Sequence, residues 1–173
     1  MTLASEPFVI EPQSDMDGPF RMLAGGDRTA RQVSFGDGRL DPYAPGPPRH
    51  VHKNEDEALH VIEGVMSFEV DGRRFEAGPG TLVWLPREHP HAFSNLSAEP
   101  VYLVAIIVPS GLEGMFEEHA QYFSTLTGPP DEGALATISA RYGVTILGPS
   151  LSGREPAEAL AVEHPMGRRP PQP

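Results

Sequence analysis

The sequence predicts an all-β fold, a sandwich or barrel of short strands, with a short helical appendage toward its C-terminal end. Three observations predict it. Glycine (18) and proline (20) together exceed a fifth of the 173 residues, which interrupts long helices and multiplies turns. From about residue 7 to residue 109, short apolar or alternating runs are separated by turn residues, as in a β-sandwich or barrel. Beyond Pro109 the apolar spacing shifts from two residues to three or four.

The apolar run Phe8-Val9-Ile10 reads as an N-terminal strand. Residues 65–70 (VMSFEV) and 73–76 flank Asp71-Gly72, a pair that tolerates the positive φ of a tight two-residue hairpin turn. Residues 81–85 (TLVWL) and Val101–Val108 (VYLVAIIV) read as strands with mostly buried side chains, and Trp84, Phe68 and Phe93 as core residues. Residues 112–123 place Leu112, Met115, Phe116, His119 and Phe123 near helical spacing. Residues 131–142 begin with acidic residues and stop at Gly143, a second short helix. The expected organisation is a barrel over residues 1–111 and helices packed on it over 112–150. A mostly irregular or disordered tail follows over 151–173, rich in Pro, Glu and Arg.

Composition removes several classes of function. The longest apolar run has 8 residues, whereas a spanning helix needs about 20, so no membrane role is expected. Glu6 and Pro7 stand where a leader peptide would be basic and then apolar, which predicts a cytoplasmic protein. There is no cysteine, so a metal here must sit on nitrogen and oxygen ligands. A net charge of −11 opposes a nucleic-acid partner; only Gly167-Arg168-Arg169 is locally basic.

The chemistry concentrates in residues 46–64, GPPRHVHKNEDEALHVIEG. His50 and His52 are two apart, so on a strand both imidazoles share a face, about 6–7 Å apart at the backbone. The polar residues 53–56 can reverse the chain so that Glu57 begins a neighbouring antiparallel strand. If Glu57 faces inward, Leu59 and Val61 do too, while His60 points away. Two imidazoles and a carboxylate set this way leave coordination positions open. Glu55 and Asp56 compete for the carboxylate role; parity favours Glu57 and leaves the other two in a solvated turn. A second segment, residues 80–95 (GTLVWLPREHPHAFSN), supplies His89 and His91, either of which could be a fourth ligand. Phe93 shares a face with His91.

These two segments resemble the paired motifs of the cupin superfamily. The first motif is a histidine pair two apart, then glutamate, then glycine, matched by His50, His52, Glu57 and Gly64. The second is matched by Gly80, Pro86, His91 and Asn95. Two positions depart: Ala44 stands where the first motif opens with glycine, and Glu88 stands where the second has glycine after proline. The resemblance spans residues 8–109, roughly 60% of the chain.

The resemblance implies a double-stranded β-helix (jelly-roll barrel) and a divalent metal held by His50, His52, Glu57 and His91. It leaves His89 on the rim and Fe, Mn, Ni, Co, Cu and Zn as candidates. The helical end and the first segment also look like small single-cupin proteins similar to quercetin dioxygenases. That implies an enzyme that chelates an aromatic or enolic hydroxy-ketone and reacts it with O₂, with Glu57 as base. The alternatives are a non-oxidative lyase, isomerase or polyketide cyclase, and a non-catalytic small-molecule binder. Phe93, Tyr43, Leu59 and Val61 are the candidate substrate-lining residues, and His119 is placed equally at an interface or near the pocket. A homodimer is also implied, with the strand Phe8-Val9-Ile10 as its sequence support.

Overall fold

The computed structural model describes residues 6–11 and 18–153. Its strands are β1 (Phe20–Ala24), β2 (Ser34–Leu40), β3 (Pro48–His52), β4 (Asp56–Glu63) and β5 (Met66–Val70). They continue with β6 (Arg73–Ala77), β7 (Leu82–Leu85), β8 (His91–Ser94) and β9 (Val101–Val108). Helices α1 (Glu113–Ser124) and α2 (Glu132–Arg141) follow, and β10 (Val144–Ser150) closes the order. The strands form two five-stranded antiparallel sheets, β1-β2-β9-β4-β7 and β10-β3-β8-β5-β6. The barrel is therefore not closed into one continuous sheet. It is the two-sheet form of the jelly roll.

Strand parity builds the core between the sheets. Along β9, Val101, Leu103, Ala105 and Ile107 are buried while the residues between them are not. The first three meet Leu59, Val61 and Leu85 of their own sheet and Met66, Phe68 and Ala77 of the other. The β5–β6 hairpin turns at Asp71 (φ 50°) and Gly72 (φ 77°), the two positive angles that a tight hairpin turn demands. In α2 the Asp131 carboxylate accepts the Ala134 N–H at 3.0 Å, and Gly143 ends the helix at φ 76°. A second apolar cluster of Ile107, Leu112, Met115 and Val144 joins the helices to the sheets.

Four expectations change. Trp84 is not a core residue: Val83 and Leu85 take the inward positions of β7, so Trp84 faces outward and is 51% exposed. Phe8-Val9-Ile10 joins neither sheet; Phe8 is instead capped by the Arg28 guanidinium, 5.3 Å from its ring centroid. With it goes the sequence support for a dimer. The stretch after residue 111 is not helical throughout, since β10 adds a strand beside β3. Glu55 is not in a solvated turn but is 5% exposed. The tail from residue 154 onward, with the basic Arg168-Arg169, lies outside the described residues. No helix among the described residues is long and apolar enough to cross a membrane.

Candidate metal centre

His50 and His52 project from one face of β3, as their spacing requires, and both are buried. β8 runs beside β3 with His91 as the register partner of His50. Glu57 does not come from a neighbouring strand. β4 lies in the opposite sheet between β7 and β9, so the polar residues after His52 carry the chain from one sheet to the other. Two anchors hold that crossing: Lys53 N donates to Gly143 O at 2.9 Å, and Arg87 binds Asp56 through its backbone and side chain. The same hydrogen bonds from Arg87 hold the Asp56 carboxyl down at about 2. Burial pushes the Glu55 carboxyl up, against the opposing pull of Arg87.

The donor atoms of His50, His52, Glu57 and His91 all lie within 4.8 Å of one another, and all four residues are buried. His50 Nδ1 sits 2.7 Å from Pro48 O, and His91 Nδ1 sits 2.9 Å from His89 O. A ring nitrogen against a carbonyl carries the proton, which leaves each Nε2 as a bare lone pair. Burial pulls the His50 imidazole down to about 3, with His91 and His52 adding to the effect. Burial and His91 pull His52 down to about 4. Both are neutral at pH 7, the form that ligates a metal.

The residues fit a metal on their own terms. His52 Nδ1, His52 Nε2 and His91 Nε2 are buried with no hydrogen-bond partner. Such orphaned groups are costly unless something fills their lone pairs. Three neutral imidazoles and one carboxylate suit first-row divalent ions and offer nothing soft.

Residues 37–107 match the family described as a Cupin domain, and this segment carries the full donor set. Residues 37–107 are thus a cupin domain. The chain is 31% identical over 125 residues to a quercetin 2,3-dioxygenase of Bacillus subtilis (strain 168), a match covering 72% of this chain. The chain spans 30% of that relative's length. Among solved structures it is similar to the polyketide cyclase RemF from Streptomyces resistomycificus, at 24% identity and TM-score 0.47, covering 53% of this chain and 64% of that one. It is also similar to KdgF from Halomonas sp., at 19% identity and TM-score 0.49, covering 61% of this chain and 94% of that one.

Three of the four donors, His50, His52 and Glu57, line a cavity of about 350 Å³ between the sheets and the helices. Phe93 and Leu59 line it, together with Phe20, Phe116 and Phe123. Two expected lining residues do not. Val61 is fully buried in the core beyond the cavity, and Tyr43 is 68% exposed on the loop after β2. His60 takes the opposite face of β4, between Leu82 and Val104 in register. His89 is on the surface, 2.7 Å from Asp71, and contributes its carbonyl to His91. The helices complete the wall: Phe116, His119 and Phe123 lie on one face of α1, with His119 taking the pocket side of its two expected placements, and Ser139 on α2, which the sequence did not single out, joins them. The spacing of 116, 119 and 123 was the available signal.

Proposed function

We propose that this cupin-domain protein is a metal-dependent dioxygenase that binds an aromatic, enolic hydroxy-ketone and cleaves it with O₂. One observation carries the reading: a buried three-histidine, one-carboxylate donor set borders, through His50, His52 and Glu57, a partly open cavity whose other walls are largely aromatic and aliphatic. Its volume lies in the range of small-molecule pockets, about 300–1,000 Å³. The similarity to a quercetin 2,3-dioxygenase supports a flavonol-like substrate.

His50, His52, Glu57 and His91 would hold a divalent ion, which would supply Lewis acidity toward negative charge developing on a substrate oxygen. The chain's own residues do the rest. Glu57, on the opposite sheet from the histidines, takes the substrate's hydroxyl proton in this reading. Phe93 and Phe116 hold the aromatic rings and exclude water. Both oxygen atoms of O₂ finish on substrate carbons as the enolic carbon–carbon bond breaks, so no external reductant is consumed.

The experiment combines metal analysis of protein purified without chelator with turnover of flavonols in air and under argon. The expected result is one divalent ion per chain, O₂-dependent loss of flavonol, and both ¹⁸O atoms of labelled O₂ in the products. Turnover under argon would make the chain a non-oxidative lyase, isomerase or cyclase. Flavonol bound and returned unchanged would make it a binding protein.

A further inference from the structure

Polar side chains reach the cavity from two sets of elements. Among the residues that line it, the only polar side chains are His50, His52 and Glu57 of the donor set, and His119 and Ser139. The first group rises from the two sheets and the second from the two helices. Aliphatic and aromatic side chains make up the wall elsewhere. His119 Nε2 lies 3.3 Å from Ser139 Oγ, and the ring is also hydrogen-bonded to the Leu135 backbone. Phe123 stands edge-on to it, with ring centroids 6.5 Å apart. Ser139 is almost wholly buried, so its hydroxyl and the imidazole have each other and the cavity to answer to.

A buried hydroxyl inside an apolar wall discriminates for ligands that meet its remaining hydrogen-bonding capacity. Burial pushes His119 below its ordinary range; the imidazole spends its N–H on the Leu135 backbone and its other nitrogen on Ser139 Oγ, so what the pair presents to the cavity is the acceptor lone pairs of Ser139 Oγ, held in place by His119. A neutral acceptor of this kind suits a hydroxyl rather than an anion.

We propose that the His119–Ser139 pair recognises a further hydroxyl on the substrate, distinct from the chelating oxygens. The inference rests on the proposed reading of the donor set and narrows its substrate class. The preferred molecule is an aromatic hydroxy-ketone carrying a further ring hydroxyl.

The test uses the full chain and paired probes. Wild type should bind the tightest of 3,7-dihydroxyflavone, 3,4′-dihydroxyflavone and 3,3′-dihydroxyflavone about five- to tenfold more tightly than 3-hydroxyflavone, the difference one hydrogen bond makes. In His119→Phe that ratio should fall to about 1, in Ser139→Ala it should shrink, and His119→Gln should retain part of it. Circular dichroism and metal content check that each variant is folded. A preference that survives His119→Phe, or one never present in wild type, overturns the proposal. A second pair, naphthalene and 2-naphthol, needs no chelation. If flavonols fail to bind but 2-naphthol is preferred in a His119-dependent way, the donor-set reading fails and this one stands. If neither pair shows the preference, this one falls.

Discussion

Glu57 Oε2 lies 3.5 Å from His91 Nε2, although β4 and β8 belong to opposite sheets. The carboxylate and the imidazoles thus approach one point from facing walls. Removing His52 tests what that point is for. Its two ring nitrogens are buried without partners, so in metal-free protein His52→Leu should leave thermal stability unchanged or raise it. The same change should weaken metal binding by at least on the order of 100-fold, beyond what loss of a supporting hydrogen bond costs. Titration of metal-free protein with Zn(II) and Mn(II), followed by Tm, checks both. A Tm rise on metal addition that matches wild type would remove His52 from the site.

The same burial sets a pH dependence. His50 and His52 have folded values of about 3 and about 4, against 6.5 for an ordinary imidazole. Between those limits the unfolded chain binds more protons than the folded one, so stability rises with pH. Metal-free protein should lose stability as pH falls from about 6.5 toward 4, with up to two protons taken up on unfolding. Urea midpoints measured at half-unit steps from pH 7.5 to 4.5 check the sign. A flat profile would mean that these imidazoles are not held neutral.

Three of the four grouped donors were legible because strand parity and residue type coincide, whereas the choice of His91 over His89 came only from the motif resemblance. His50 and His52 share a face at any strand position, and Glu57, Leu59 and Val61 fall inward together. What parity does not contain is which sheet a strand joins. Residues 53–56 read equally as a hairpin turn or as an arch between sheets. The anchors that decide it, Gly143 and Arg87, are about 90 and 30 residues away in sequence. β10 was illegible for a related reason: VTILGPS carries Gly and Pro, and its pairing with β3 depends on the helices returning it there. Trp84 was misread by residue type, where parity with Leu85 already pointed it outward.

Asn95 is a structural keystone. It is fully buried, its amide donates to Leu40 O, Asp41 O and Glu99 O, and its Oδ1 accepts from Ser97 N and Oγ. Asn95→Ala removes all five of these hydrogen bonds, although Asp41 O keeps the Ala44 N–H and Glu99 O keeps Ser97 Oγ, and should cost about 2–4 kcal/mol, read from urea unfolding. A loss below about 1 kcal/mol would show that the loop reorganises around it.

Glu88 occupies the left-handed region at φ 65° while its N–H donates to His52 O at 2.8 Å. Such a conformation costs a non-glycine residue roughly 1–2 kcal/mol, partly offset by the extra freedom glycine gains on unfolding. Glu88→Gly should therefore raise stability by up to about 1 kcal/mol with metal affinity preserved. A fall in Tm would show that the Glu88 side chain makes a stabilising contact of its own.

The crossing after His52 gives the donor set a mechanical meaning. An ion bound there is a rivet through both halves of the sandwich, so uptake by the folded form alone adds resistance to unfolding as RT ln(1 + [M]/Kd). Scarcity of the ion would then lower not only turnover but the number of intact molecules, tying the lifetime of the chain to its supply of metal.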